Sequence, residues 1–296
     1  MSLRLEMLQV ARLAPKLLGP EASRLVADYV RSQQAPSGGF RDRDGEPDLY
    51  YTSFALDALT ALQEPLPEEL LLRYLETCED RMEELDFVHL CCLARCGAAL
   101  RRSSPLQEAL LSRIESFRSA DGGYNQIDDA DTGSTYAAFL ARGAYSDLGV
   151  PLPEPDRVAS SVRSLAAPDG SGAWANDTVF PVPNVPATAA AVSLARHLRM
   201  AVPAATGDWL LGCFHLEGGG FLPFPGAPMP DLLSTAVALH ALDGLQVDFS
   251  PLREGLLDYI DGLWTADGGF HGSWGDDDLD IEYTYYGLLA LGHLAI

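Results

Sequence analysis

The sequence predicts an all-α protein arranged as a closed double ring of six helix pairs, an α6–α6 toroid. Three observations predict it. A phrase made of a glycine pair, an aromatic residue, an Asp or Asn and a Thr four positions later recurs along the chain. It occurs at Gly38-Gly39-Phe40 with Asp48 and Thr52, and at Gly122-Gly123-Tyr124 with Asp131 and Thr135. It returns at Gly172-Ala173-Trp174 with Asn184 and Thr188, at Gly219-Gly220-Phe221 with Asp231 and Thr235, and at Gly268-Gly269-Phe270 with Asp280 and Thr284. A repeat of this length marks stacked two-helix units. Each copy follows an amphipathic stretch and opens one that is apolar on nearly every face, the signature of a helix buried all round. No terminal repeat carries a polar capping face; the last helix ends in the stretch from Leu288 to Ile296 with little charge. An open solenoid, the alternative, needs such caps.

The elements follow in order. Residues 3–18 and 21–34 read as two helices parted by Gly19-Pro20, the second striped by Leu25, Val26, Tyr29 and Val30 and stopped at Pro36-Ser37-Gly38-Gly39. Residues 49–62 form the first buried helix, with Ser53, Ala55, Ala58 and Ala61 between larger side chains. The second pair, 67–79 and Phe87 to about Leu100, lacks the glycine turn but keeps Asp86 before its buried helix. Four further pairs are expected: 105–118 with 133–145, 155–166 with 186–198, 203–215 with 232–243, and 251–264 with 281–295. Asp48, Asp86, Asp131, Asn184, Asp231 and Asp280 are the expected N-caps, since an Asp or Asn oxygen takes the free N–H groups of a first turn. The glycines supply positive φ and close packing, and Phe40, Tyr124, Trp174, Phe221 and Phe270 fill the gaps between pairs. Loops 146–155 and 222–231 are repeat connections, so residues 1–296 read as one domain.

The chain has 296 residues, 47% hydrophobic, with a formal net charge of -22. Lys16 is its single lysine. Such a field repels phosphate backbones and anionic lipid, which argues against nucleic acid and polybasic membrane docking. No segment is long and apolar enough to span a bilayer. The N-terminus alternates apolar residues with Arg4, Glu6, Arg12 and Lys16, an amphipathic helix rather than a signal peptide. Five cysteines, an odd number without a staple pattern, predict a reducing compartment, the cytoplasm.

The repeated turns and the run Gly133-Ser134-Thr135-Tyr136-Ala137-Ala138 resemble the isoprenoid toroid superfamily: the β subunits of protein prenyltransferases, and squalene–hopene and related class II terpene cyclases. The resemblance covers roughly residues 20–296. It implies a barrel whose inner helices surround an apolar cavity for an isoprenoid or similar small molecule. For the prenyltransferases it also implies a helical α-type partner subunit.

It also implies sites. The prenyltransferase zinc ligands fall at Asp231, at Leu233 where a Cys is expected, and at Tyr283 where a His is expected. Zinc is therefore not supported, and no diphosphate clamp is visible at Asp131-Thr132-Gly133, Asn184 or Pro225 to Pro228. The cyclase phrase DxDDT aligns with Asp280-Ile281-Glu282-Tyr283-Thr284, which puts Glu282 at the place of the proton donor with Asp280 or Asp278 as its neighbour. A carboxyl crowded in an apolar cavity has a raised pKa and a proton to give. The competing reading is a capping Asp280 and a first-turn acid at Glu282 suited to the helix dipole. Asp276-Asp277-Asp278-Leu279-Asp280 has the DDxxD spacing that holds magnesium in class I terpene synthases, which makes Asp276 and Asp277, with Asp231, weak metal candidates. A solvated acidic rim, which would include Asp128 and Asp129, is the plainer reading.

Tyr51, Phe54, Tyr136, Phe139, His240, Tyr283 and Tyr286 are the candidate substrate-binding residues, with Tyr50, Phe87, Phe224 and Tyr285 in the same aromatic set; π faces stabilise carbocations. His89, Cys92 and Cys96 share a helix face below Asp86, a stripe too long for one ion. Cys213 and His215 end an outer helix. Three functions follow: a prenyl-transfer protein like a β subunit with a degraded zinc site, a class II-type terpenoid cyclase using Glu282, or a non-catalytic isoprenoid-binding scaffold.

Overall fold

The computed structural model describes residues 2–102 and 105–296. Six apolar helices, α3 (Leu49–Ala61), α5 (Phe87–Ala99), α7 (Thr135–Asp147), α9 (Val185–Leu198), α11 (Leu232–Gly244) and α13 (Ile281–Leu294), pack each against the next, and α13 packs against α3. The ring is closed. Outside it lie α2 (Pro15–Ser32), α4 (Glu68–Asp80), α6 (Gln107–Glu115), α8 (Pro155–Ser164), α10 (Ala205–Gly212) and α12 (Arg253–Asp261). Helix α2 touches both α3 and α13, so the first outer helix covers the seam between first and last repeats. An additional helix, α1 (Leu3–Ala11), contacts α13, α3 and α7.

The recurring phrase is a joint. Two of its copies form small ladders, β1 (Phe40–Arg41) with β2 (Pro47–Asp48), and β3 (Phe270–His271) with β4 (Leu279–Asp280). The Thr hydroxyl accepts the aromatic residue's backbone N–H: Phe40 to Thr52 at 2.8 Å, Trp174 to Thr188 at 2.9 Å, Phe221 to Thr235 at 3.0 Å and Phe270 to Thr284 at 3.3 Å. At Thr235 and Thr284 it also donates to the carbonyl of the capping Asp, at 2.8 and 2.6 Å. One buried hydroxyl thus fixes the turn to the first turn of the inner helix, and all four threonines are fully buried. The first glycine of the pair has φ of +106° at Gly38, +68° at Gly219 and +93° at Gly268. A Cβ at these positions would collide with the carbonyl oxygens of Leu70, Gly255 and Leu25 on the following outer helix. The second glycine lies under a tyrosine ring of that helix, Tyr74 over Gly39, Tyr259 over Gly220 and Tyr29 over Gly269. Leu25 and Tyr29 belong to α2, so closure reuses the internal joint.

Several helix ends lie two or three residues inside the expected ranges, and two differences are larger or move a cap. The helix expected over 3–18 is broken: α1 ends at Ala11, α2 starts at Pro15, and Gly19 (φ 73°) kinks it. A proline ring cannot follow a helical turn without meeting the carbonyl four residues back, here that of Ala11. The third inner helix is capped by Ser134 and not by Asp131, which is exposed. The Ser134 hydroxyl accepts the Ala137 N–H at 3.0 Å, Ala138 takes the threonine position, and Thr135 donates to the Ala175 carbonyl. With Ser134 in place the caps stand 38, 48, 50, 47 and 49 residues apart, a more even period. Asp48, Asp86, Asn184, Asp231 and Asp280 cap as expected.

His89 ties two caps together. Its Nε2 lies 2.7 Å from Asp48 and its Nδ1 2.8 Å from Asp86. The Asp48 hydrogen bond, helped by Asp86, outweighs burial and raises His89 to about 9. It borders a groove of about 550 Å³ between α3 and α4 whose walls include Tyr74, Cys78, Arg81 and Glu84. Cys92 and Cys96, on the same stripe, are buried thiols held protonated by that burial.

The joint and this bridge each give a test. Gly268→Ala should destabilise the protein by more than about 2 kcal/mol in urea, since strain and collision add. Gly45→Ala, at φ +88° in open space, should cost less than about 1.5 kcal/mol; equal losses would remove the joint from the account. Because His89 is raised above an ordinary histidine, its contribution is complete below about pH 6.5 and lost as pH rises through about 9. His89→Gln should therefore cost about 1 kcal/mol at pH 6 and much less at pH 10. An equal cost at both would contradict the charged bridge.

Candidate functional site

The N-terminal ends of the inner helices meet at one mouth of the ring, and Glu282 lies just inside it on the first turn of α13. Its Oε1 accepts a hydrogen bond from the Tyr50 hydroxyl on α3 at 2.6 Å. Burial, with the nearby Asp280 carboxylate, pushes the Glu282 carboxyl up to about 7, against the opposing pull of Tyr50 and Arg43. Tyr136, on α7 across the ring, is near enough to Glu282, Tyr50 and Tyr286 for their charges to be felt. Below them Phe54 packs edge-on to Tyr50 at 5.0 Å between centroids and against Tyr286 at 5.5 Å. Tyr50, Tyr136, Leu233, Val237, Glu282 and Tyr286 keep partial exposure although all sit on inner helices.

Asp280 and Glu282 divide the labour. Asp280 caps α13, accepting the Tyr283 N–H at 2.7 Å, and receives Arg43 Nε at 2.8 Å. Arg43 comes from the β1–β2 turn of the first repeat and also binds Asp276 at 2.7 Å, bridging the seam. Burial leaves the Asp280 carboxyl raised in spite of Arg43. Asp280 is thus the cap of α13, and Glu282, on the same first turn, is turned into the aromatic cluster.

Other candidates are dispersed. Tyr51 and Tyr283 lie beside Arg43 at the rim, Tyr283 with its ring 5.5 Å below the guanidinium and near Asp231. Asp278 and Asp277 are exposed, and Asp278 does not stand beside Glu282 as a second acid: its backbone carbonyl is engaged by His271. Asp276 is committed to Arg43, and Asp231 to the Ser234 N–H and hydroxyl. Among the described residues no group of three or more His, Cys, Asp or Glu side chains is placed to hold a metal ion. His240 does not join the tyrosines. It is buried towards the far end of α11, its Nδ1 3.1 Å from His293 Nε2, and burial lowers it to about 4. Phe139 is on the second turn of α7, facing a small cavity near α1. Phe224 is exposed on a loop, Phe87 packs between helices, and His215 accepts the Gly218 N–H.

Sequence reasoning missed the floor. Asp57 on α3 is fully buried and bound by Arg4 Nε at 2.6 Å and Arg95 Nε at 2.7 Å. The Arg95 guanidinium lies 4.9 Å from the Phe54 ring centre and 5.9 Å from that of Tyr285. The aromatic cluster therefore stands above an ionic base. Asp57 and Arg95 are charges within otherwise apolar helices, and a buried charge requires a partner; that was the available signal.

Comparison with known proteins agrees with the fold. The sequence matches the family described as the prenyltransferase alpha-alpha toroid domain over residues 21–91 and 187–295. A search of curated protein sequences gives no match. Among solved structures, Candida albicans protein geranylgeranyltransferase-I complexed with GGPP superposes with a TM-score of 0.66 at 14% identity, covering 92% of this chain and 90% of that one. The type II terpene cyclase MstE from Scytonema gives 0.60 at 13% identity, over 93% and 96% of the two chains. A variant of it in complex with geranylgeranyl dihydroxybenzoate gives 0.60 at 13%, over 97% of each. At such identity these likenesses speak for the fold. With the ring closed, the joints repeated and the family match covering more than half its length, the chain belongs to the prenyltransferase alpha-alpha toroid domain family.

Proposed function

We propose that this protein takes an isoprenoid into the hollow of its ring and that Glu282 is the proton donor of a class II-type cyclisation. The carrying observation is the Glu282–Tyr50 pair: a carboxyl at about 7, hydrogen-bonded by a phenol and surrounded by aromatic rings. At neutral pH such a group keeps a substantial share of its protons. Its proton would pass to a lone pair of an epoxide oxygen, whose C–O bond then breaks with its electron pair staying on that oxygen, or to an alkene carbon, the π pair forming the new C–H bond; either way a carbocation is left. The remaining carboxylate would keep the Tyr50 hydrogen bond. The next double bond of the chain would close on the cation, flanked by Tyr136, Phe54 and Tyr286. A final proton would leave to water at the mouth, where Glu282 is recharged. An acid of this modest strength matches an epoxide better than an unactivated alkene.

Zinc-assisted prenyl transfer fits less well. Beside Asp231 stand Leu233, which has no donor atom, and Tyr283, whose pKa is pushed up to about 12, mainly by burial. This donor set does not suit zinc. Magnesium at Asp276 and Asp277 would compete with Arg43. No step is routed through either metal, and a helical α-type partner is required only by the transfer reading. The non-catalytic binder stays as the second reading, favoured by the same modest acidity of Glu282. Five unpaired cysteines support a reducing compartment such as the cytoplasm, and no described helix is long and apolar enough to cross a membrane.

Incubation with polyprenyl epoxides, squalene-like polyenes and prenyl diphosphates, read by mass spectrometry, should yield a cyclised product. Glu282→Gln should abolish it, and wild-type turnover should fall as pH rises through about 7. Turnover unchanged in Glu282→Gln would remove Glu282 from the chemistry, and retained prenol binding without turnover would leave the binder. Stability gives an independent check. A carboxyl raised by burial costs nothing below about pH 4.5 and its full penalty above about 7. Glu282→Gln should thus gain on the order of 2 kcal/mol over wild type at pH 8 relative to pH 4.5. A pH-independent difference would contradict the raised carboxyl.

A further inference from the structure

Arg142, on α7, is a half-buried arginine to which the chain brings no carboxylate. The sequence holds 42 Asp and Glu against 20 Lys and Arg, yet among the described residues Arg142 has only neutral partners. Its Nη1 donates to the Ser146 hydroxyl one turn on, and its Nη2 to His197 Nδ1 at 3.4 Å, on the last turn of α9. A guanidinium has five N–H groups and no acceptor, so three are left over. His197, accepting at Nδ1, carries its proton on Nε2, 3.2 Å from Glu6. Burial holds His197 below an ordinary histidine, so the ring is neutral at pH 7. The acids whose charge reaches Arg142 are Asp147 and Glu6, and both are engaged elsewhere. Glu6 binds Arg196 at 2.9 Å, and Asp147 lines the small cavity that holds Arg4 and Arg95. Burial pulls the Arg142 pKa down against these two carboxylates. A cation withdrawn from water without a counter-charge is costly.

Arg142, Ser146 and His197 line a cavity of about 520 Å³ at the end of the ring opposite Glu282. Its remaining wall is apolar and comes largely from the loop between α7 and α8, with Val150, Pro151 and Leu152. Pro155, the first residue of α8, also lines it, and no side chain caps that helix. We propose that this cavity binds an organic monocarboxylate, its carboxylate held by the free N–H groups of Arg142 and its apolar part laid against Val150, Pro151 and Leu152. The planar guanidinium matches a planar carboxylate through two parallel hydrogen bonds. One unneutralised arginine beside a neutral imidazole balances one negative charge. A dianion would face Glu6 and Asp147 with a charge to spare. The size suits a small molecule rather than a macromolecule. The site is remote from Glu282 and stands or falls without the isoprenoid reading.

Calorimetric titration of the full chain with three probes of one chain length tests this: hexanoate, its neutral isostere hexanamide, and hexyl phosphate, largely a dianion at about pH 8. Wild type should bind hexanoate roughly tenfold more tightly than hexanamide, the worth of one charge-assisted pair, and more tightly than hexyl phosphate. Arg142→Gln should weaken hexanoate roughly tenfold and leave hexanamide unchanged. Pro151→Asp, on the exposed lip, puts a carboxylate into the cavity and should do the same; it carries the test if Arg142→Gln alters the circular dichroism. Hexanoate and hexanamide bound alike, hexanoate binding unmoved in both variants, or no binding of hexanoate to wild type would each overturn the site. Tighter binding of hexyl phosphate than of hexanoate would overturn the monocarboxylate.

Discussion

A single hydroxyl-to-backbone hydrogen bond, repeated around the ring, holds turn and helix together in most copies of the repeat. In Thr52, Thr188, Thr235 and Thr284 it takes the N–H of a buried aromatic residue whose ring fills the wedge between two helix pairs. Each bond is worth about 1 kcal/mol net, but each lies where an unmet N–H would cost more. The aromatic turn can sit so deep because its glycines let the next outer helix approach backbone to backbone. Once each pair is set against the next by this joint, the sixth meets the first at Leu25 and Tyr29 in the same way.

Closure has chemical consequences. All six inner helices start at one mouth, so their capping oxygens and free N–H groups gather there. Most of that polarity is consumed locally: Asp48 with His89, Asp231 with Ser234, Asp280 with Arg43 and the Tyr283 N–H. Arg43, reaching from the first repeat to the last, binds Asp276 and Asp280 across the acidic seam. Glu282 is the exception. It is one residue into α13, turned inward, and partnered by a phenol that lowers its cost without giving it a counter-charge. The far end is balanced differently, with Arg4 and Arg95 on Asp57 forming an ionic base under Phe54 and Tyr285.

The fold was legible because its joint is local. The glycine turn, the capping Asp and the Thr lie within one short stretch, and apolar-all-round helices announce a buried ring. Asp131 was misplaced for a physical reason: Ser caps as well as Asp, and spacing alone cannot choose between Asp131 and Ser134, which the Ala137 N–H to Ser134 hydrogen bond decides. The break before Pro15 was readable from the proline rule and was outweighed by helical periodicity. Of the candidate site, Glu282, Tyr136, Phe54 and Tyr286 stand out in the sequence by their places on the inner helices, whereas Tyr50, which hydrogen-bonds Glu282, is there only one aromatic among many. Contacts such as Tyr50 with Glu282, Arg43 with Asp276 or Arg95 with Asp57 join different repeats, and no pattern within one repeat encodes them. His240 was read from its helix face alone, which cannot tell mouth from far end.

Native-state hydrogen exchange measures ring closure most directly. If the last pair is locked to the first by the same joint that Gly38 and Gly219 make within the chain, the amides of α3 and α13 should exchange only through global opening, as slowly as those of α7 and α9. Faster exchange confined to α2, α3 and α13, with α7 and α9 still protected, would be the fraying of an open stack and would contradict the closed ring.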